Sequence, residues 1–223
     1  MKKLTLILLI LITGCDLKSP KEYLKEGWDL EDKQQYKAAI KLLDKAIDKD
    51  PKFKEAYLSR GADKVAIKDY EGAISDYANV LKLDSKNTLA LFNTGNNFKR
   101  LNQNSKAVAY YNKALASKGG EVIMFDSTPN AFTNESDFDV KGSEIFYQRA
   151  LAYLGIDSLK KSFNDFHNCV NLGYKVDESY YWMGTIARAY KNKEVACKCF
   201  MKSEQLGNKN AAIERENYCD QNQ

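Results

Sequence analysis

Small residues recur every 34 positions through the first half of the chain, at Gly27, Gly61 and Gly95. The same step separates two further columns, Ala39, Ala73 and Ala107, and Leu43, Tyr77 and Tyr111. A step of 55 follows from Gly95 to Ala150, which is one period plus 21 residues, and the step of 34 returns from Ala150 to Gly184. The chain therefore contains five units with one insertion between the third and the fourth. Self-similarity at a period of 20–50 residues is typical of stacked repeat architectures.

Each unit has a helical pattern. Ala39, Leu43 and Ala46 stand at i, i+4 and i+7, which places them on one face of a helix. The stretch from Ser19 to Glu22 has the residues of a capping box with proline at the first helical position, so the first helix is expected to begin there. The pattern predicts two short antiparallel helices in every unit.

These units resemble the tetratricopeptide repeat (TPR) family, which combines a 34-residue period with an aromatic opening, Gly or Ala at the first helix crossing, and then Ala, an aromatic residue and Ala. The last units, with "CFMKSEQLGNKNAA", are also similar to the related Sel1-like repeats. The resemblance implies an all-α fold, a right-handed α-solenoid of about five TPR-type helical hairpins plus a C-terminal capping helix. The expected divisions are units one to three at 20–119, the insertion at 120–142, units four and five at 143–210, and the capping helix at 211–223.

The N-terminus predicts export and a lipid anchor. Lys2 and Lys3 precede an apolar run over 4–12, which is far shorter than the roughly 20 residues of a membrane-spanning helix and suits a signal peptide. The run ends in Ile-Thr-Gly before Cys15, which resembles the lipobox of bacterial lipoproteins. The resemblance implies a signal at 1–14, a diacylglycerol on the Cys15 thiol and a lipidated linker at 15–19. The alternative is an ordinary signal with an incidental cysteine.

We therefore expect a soluble domain tethered by lipid to a bacterial cell envelope, since lipoproteins carry two or three chains and two suffice for stable attachment. In one sorting scheme an aspartate after the cysteine, here Asp16, retains a lipoprotein in the inner membrane. Because that rule does not hold in all bacteria, both membranes stay open, with the outer membrane slightly favoured.

The charge balance gives no support for nucleic acid as a partner. Of 34 basic residues two lysines lie in the signal, which leaves 32 against 30 acidic residues, and nucleic-acid binding needs clustered positive charge. Catalytic motifs, metal motifs and phosphate loops are also missing from the sequence. The single histidine, His167, follows Asp165 closely on a predicted helix without a nucleophile motif nearby. We expect no enzyme activity, no small-molecule substrate and no cofactor apart from the covalent lipid.

Four cysteines remain after Cys15, at Cys169, Cys197, Cys199 and Cys219. In an exported protein they can pair in three ways, and buried free thiols are the equal alternative. If a disulfide forms, we expect it to join Cys169 to Cys197 or Cys199. A zinc site with His167 is disfavoured, because residues two apart on a helix point to nearly opposite faces.

The TPR resemblance implies that peptides or protein segments bind along the concave face, which the first helices of the units line. The candidate residues for this groove combine aromatic and aliphatic side chains with amides and cations, which suits an extended peptide. They are Leu24, Trp28, Leu58, Phe92, Asn93, Asn96, Lys99, Arg100, Tyr147, Gln148, Tyr181, Trp182 and Arg188. Packing between units is the alternative role for several of the aromatic residues. The carboxylate clamp of some relatives is spread over three units and is not carried over, because Asn93, Asn96, Lys99 and Arg100 all fall in unit three.

Two functions follow from these features. The first is a scaffold anchored in the envelope that binds peptide segments of other proteins in its groove. The second is a dedicated binder of one partner, such as an immunity or inhibitor protein, which would use the insertion or the solenoid ends. The insertion contains the apolar run "EVIMF" and the turn signal "DSTPN", and we expect it to pack on the solenoid.

Overall fold

The computed structural model describes residues 17–117 and 140–220, and within those ranges it contains eleven α-helices. The first helices of the five hairpins are α1 (Pro20–Glu31), α3 (Lys54–Ala66), α5 (Thr88–Arg100), α7 (Gly142–Leu154) and α9 (Val176–Ala189). Their partners are α2 (Tyr36–Lys49), α4 (Tyr70–Leu83), α6 (Asn104–Ser117), α8 (Leu159–Asn171) and α10 (Lys193–Gln205), and α11 (Lys209–Tyr218) follows.

The helices stack in chain order. Each first helix packs on its own partner, each second helix packs on the next hairpin, and α11 covers α10. Two pairs of first helices also touch directly, α1 with α3 and α5 with α7. This arrangement confirms the predicted fold class, a solenoid of five helical hairpins with a C-terminal capping helix. The capping helix begins at Lys209, where the Asn208 side chain accepts hydrogen bonds from the backbone of the first turn.

The repeated glycines allow the two helices of a hairpin to approach closely. A Cβ atom on Gly61 would lie 2.7 Å from a ring carbon of Tyr77, and one on Gly95 would lie 2.7 Å from Tyr111. Those rings are almost completely buried. The small residues that recur in the sequence therefore mark helix crossings. At Gly61 and Gly95 the second helix fills the missing side-chain volume with a ring, and at Gly27 it does so with Leu43.

The same turn closes every hairpin. The residue at its centre has a positive φ in all five units, although in each case it is not glycine: Gln34 (58°), Lys68 (65°), Asn102 (58°), Asp157 (55°) and Lys191 (57°). These positions keep the register of the repeat. Since left-handed conformations are strained for most side chains, their recurrence shows that the hairpin geometry dictates the turn.

Buried ion pairs fasten hairpins 2 and 4. Arg60 binds Asp76 of its own hairpin through Nε and Nη2, at 3.1 and 2.6 Å, and reaches back to Asp44 of hairpin 1 at 2.6 Å. Arg149 repeats this arrangement two units later. It binds Asp165 with two bonds of 2.7 Å and reaches back to Asn112 at 2.7 Å. Each arginine thus joins the two helices of its hairpin to the preceding hairpin.

The stack continues across the insertion. Helix α6 packs on α7, and one hydrophobic cluster runs from Leu91 in α5 to Cys199 in α10. Val140, which is 5% exposed, belongs to this cluster. The end of the range assigned to the insertion therefore contributes to the core of hairpin 4, and α7 begins within that range at Gly142. The rest of the predicted insertion, 120–139, lies outside the described residues.

The cysteine pairing differs from the expected one. A disulfide joins Cys197 of α10 to Cys219, which directly follows α11, whereas Cys169 and Cys199 are buried free thiols. The prediction of a Cys169 bond to Cys197 or Cys199 is wrong. Cys197 is partly exposed on the side of α10 that meets α11, while Cys199, two residues on, turns into the core.

Candidate functional site

The inner surface, as we call the surface lined by α1, α3, α5, α7 and α9, does not expose all the residues predicted for it. Leu24, Phe92 and Tyr147 are each 5% exposed and belong to the hydrophobic clusters between helices. Their assignment to an open groove is wrong, because they stand on the side of each first helix that packs on neighbouring helices. Leu58 is partly buried against the cluster of hairpins 1 and 2.

Trp28 is the most exposed aromatic residue among the predicted positions, with 42% of its surface accessible. Its indole Nε1 donates a hydrogen bond of 2.9 Å to Oγ of Ser59, so the ring lies across α1 and α3. The hydrogen bond thereby holds the indole in place while part of its surface remains accessible.

Polar side chains converge where α5 meets α7. The Lys99 ammonium donates a hydrogen bond to Oε1 of Gln148, and Oδ1 of Asn96 accepts one of 2.7 Å from the Tyr111 hydroxyl. Asn93 is partly exposed beside them on α5. The Asn93, Asn96 and Gln148 side chains retain amide groups that can bind the backbone of another chain.

The environment of this polar cluster is positive. Burial lowers the pKa of Lys99, and the nearby charges of Arg100 and Lys175 lower it further. The Arg100 guanidinium is exposed and lies 5.5 Å from the centre of the Tyr70 ring. Lys175 lies 4.6 Å from the centre of the Tyr147 ring and is paired with the Glu178 carboxylate, 3.3 Å away. Lys99 and Arg100 therefore supply the positive charge in the middle of the inner surface, which suits amide and anionic groups of a partner.

The last predicted residues are occupied by packing and by the capping helix. Trp182 stacks on Phe166 with the ring planes 11° apart, and Tyr181 packs against Phe200. Both Trp182 and Tyr181 remain partly exposed. Arg188 forms an ion pair with Glu214 of α11, so its guanidinium already has a carboxylate partner.

Two acidic residues between hairpins 1 and 2 are not among the site residues predicted from the sequence. Asp63 of α3 is 2% exposed, and its Oδ2 accepts no hydrogen bond, as is also true of the buried Oε1 of Glu31 at the end of α1. Burial, reinforced by the charge of Glu31, raises the pKa of Asp63 to about 7. The repeat alignment contained a signal, because this register position is acidic in units one and two, at Asp29 and Asp63, and uncharged in the other three, at Asn97, Ala152 and Ile186.

Comparison with known proteins identifies the repeat. Models described as tetratricopeptide repeat match residues 24–62 and residues 89–119. In those two segments the chain is similar to tetratricopeptide repeats. The TPR matches lie in hairpins 1 to 3, where the 34-residue columns are clearest. No curated protein matches the chain in sequence.

Several solved TPR-like structures share the fold at low sequence identity. A MamA fragment from Desulfovibrio magneticus is 16% identical, with a TM-score of 0.67 over 92% of this chain and 97% of its own. YrrB, a TPR protein with an unusual peptide-binding site, is 16% identical, with a TM-score of 0.68 over 87% of this chain and 90% of its own. PilF from Pseudomonas aeruginosa is 15% identical, with a TM-score of 0.65 over 90% of this chain and 87% of its own. At these identities the likeness establishes the fold alone.

The remaining predictions concern His167, metal binding, membrane-spanning helices and the N-terminal signal. His167 is exposed on α8. Across 17–117 and 140–220, no group of three or more His, Cys, Asp or Glu residues could hold a metal ion. Within the same ranges, every helix is too short or too polar to span a bilayer. The predicted signal and Cys15 lie outside the described residues.

Proposed function

We propose that this protein is a lipid-anchored TPR scaffold of the bacterial envelope that binds peptide segments of other proteins along its inner surface. The observation that carries the proposal is the polar cluster between α5 and α7, formed by Asn93, Asn96, Lys99, Arg100 and Gln148. It places amide and cationic groups side by side on the surface that solenoid repeats use for binding. The peptide-binding site described for YrrB supports a peptide partner for this fold.

The first test separates binding from packing. Lys99→Ala, Arg100→Ala and Gln148→Ala should each weaken capture of the native envelope partner by ~10-fold with little change in melting temperature, because none of these side chains is fully buried. Gln205→Ala is the matched control, since Gln205 is exposed on α10, a second helix. Phe92→Ala should instead lower the free energy of unfolding by ~3–5 kcal/mol, because Phe92 is buried. Normal capture by all three inner-surface variants would refute the groove.

The same experiment addresses the alternative of a dedicated single-partner binder. If substitutions within 122–138 abolish capture while the inner-surface variants bind normally, the immunity- or inhibitor-like function replaces the scaffold. Many weakly bound clients would favour the scaffold, and one tightly bound folded partner would favour the alternative.

The lipid anchor is tested separately. The lipobox supports attachment through Cys15, so Cys15→Ser should leave an unprocessed precursor that incorporates no labelled fatty acid. Normal labelling of that variant would contradict the anchor without affecting the proposed groove. Fractionation of the labelled protein then distinguishes the outer membrane, which we slightly favour, from the inner one. The Sel1-like character of the last units stays a prediction.

A further inference from the structure

The carboxyl groups of Glu31 and Asp63 lack the partners that buried acids in this protein otherwise have. Asp76 and Asp165 are also almost completely buried, but each is bound by an arginine. Oδ2 of Asp63 and Oε1 of Glu31 are buried and accept no hydrogen bond. Because buried polar atoms are nearly always paired, two orphaned carboxyl oxygens between the same two helices require an explanation.

The two acids stand one helical turn beyond the contact of Trp28 with Ser59. Glu31 follows Trp28 by three residues on α1, and Asp63 follows Ser59 by four residues on α3. Residues at these spacings lie on the same face of a helix. Because α1 contacts α3 directly and Trp28 bridges them, the indole and the two carboxyl groups lie in succession along one helix–helix interface, and the charge of Glu31 acts on Asp63.

We propose that Trp28, Glu31 and Asp63 form a binding site for one cationic side chain, an arginine guanidinium or a lysine ammonium, of a segment bound on the inner surface. The face of an indole attracts cations, and carboxylate oxygens accept charge-assisted hydrogen bonds from N–H groups. The site deepens the proposed function and rests on it. It predicts that a basic residue of the partner binds over hairpins 1 and 2, away from the positive cluster of hairpins 3 and 4.

The charges around the site favour an incoming cation. The negative charge of Glu31 on α1 helps to raise the pKa of Asp63, and the negative charge of Asp32 helps to raise the pKa of Glu31. On the helix of Asp63 itself, Arg60 and Lys64 are both bound to Asp76. From α4, the Tyr77 hydroxyl is uncharged, since burial raises its pKa well above the ordinary value. A bound cation would displace the proton of Asp63, so affinity should rise between pH 6 and pH 8.

The test uses the full mature chain and two matched peptides. The first is acetyl-Gly-Ser-Arg-Ser-Gly-amide, and the second carries citrulline, a neutral isostere, in place of arginine. Binding is followed through the indole N–H resonance of Trp28 in NMR spectra, which a Trp182→Phe variant assigns. The arginine peptide should shift this resonance in a saturable way and bind ~10-fold more tightly than the citrulline peptide.

Substitutions locate the site. Asp63→Asn should weaken binding of the arginine peptide ~10-fold. Asp29→Asn should change it less than about twofold, because Asp29 has the same register position in α1 but is exposed. Absence of a saturable shift, equal affinity for both peptides or unchanged binding to Asp63→Asn would each overturn the site. Capture of the native partner, and its loss in Lys99→Ala and Gln148→Ala, is measured independently, so failure of the cation site is distinguished from failure of the groove.

Discussion

At the scale of single residues, the close crossing at Gly95 makes a definite prediction. Gly95→Ala places a Cβ atom 2.7 Å from the buried ring of Tyr111 and should lower the free energy of unfolding by ~1–3 kcal/mol, measured by urea denaturation. Gly27→Ala is the control, since its Cβ would meet a side-chain carbon of Leu43 at 3.3 Å and a helix gains propensity from alanine. Equal destabilisation by both variants would show that the clash with the Tyr111 ring is not the reason for a small residue at this position.

Asp63 makes a prediction about pH. Its folded pKa of about 7 lies above the ordinary value of 3.8, so the folded state favours the protonated acid. The resulting stability is present below pH 4 and is lost as the pH rises through 7. Asp63→Asn removes this loss, and the variant should melt a few degrees above the parent at pH 8 but at about the same temperature at pH 4. A melting temperature of Asp63→Asn below that of the parent at pH 8 would contradict the claim that the unpaired Asp63 carboxylate destabilises the fold.

The sequence predicts some residue roles and not others for a physical reason. Gly61 and Gly95 were found by spacing, because a close crossing restricts that position in every unit. Phe92 and Tyr147 could not be placed, since a first helix contacts three neighbours and small rotations decide which side chains are covered. The disulfide between Cys197 and Cys219 could not be predicted either, because it depends on how α11 lies against α10.

At the scale of helices, Arg149 is expected to contribute through Asp165. Arg149→Ala leaves that aspartate buried without its cation and should lower the free energy of unfolding by ~3–5 kcal/mol. The double variant Arg149→Met with Asp165→Leu should recover most of the loss, because it buries no unpaired charge. Denaturant unfolding of Arg149→Met, of Asp165→Leu and of the double variant measures the coupling. A double variant as unstable as Arg149→Ala would rule out the charge as the cause.

At the scale of the whole molecule, stability should be unevenly distributed. The largest hydrophobic cluster extends from α5 to α10, whereas α11 buries Ala211 alone among the residues of that helix. Amide hydrogen exchange should therefore be slowest in α5 to α8 and fastest in α11, as expected for arrays in which each repeat contacts only its neighbours. Uniform protection across all helices would indicate a single cooperative unit instead.

The direct contact of α1 with α3 and of α5 with α7 also sets the spacing at which a bound segment would meet successive hairpins. Packed helices lie about 8–10 Å apart, and an extended chain advances about 3.3 Å per residue. An extended partner crossing either pair would therefore present roughly every third residue to the next hairpin. Two side chains of such a partner would reach neighbouring hairpins only when they stand about three residues apart. A partner would then be distinguished by the spacing of its side chains as much as by their identity.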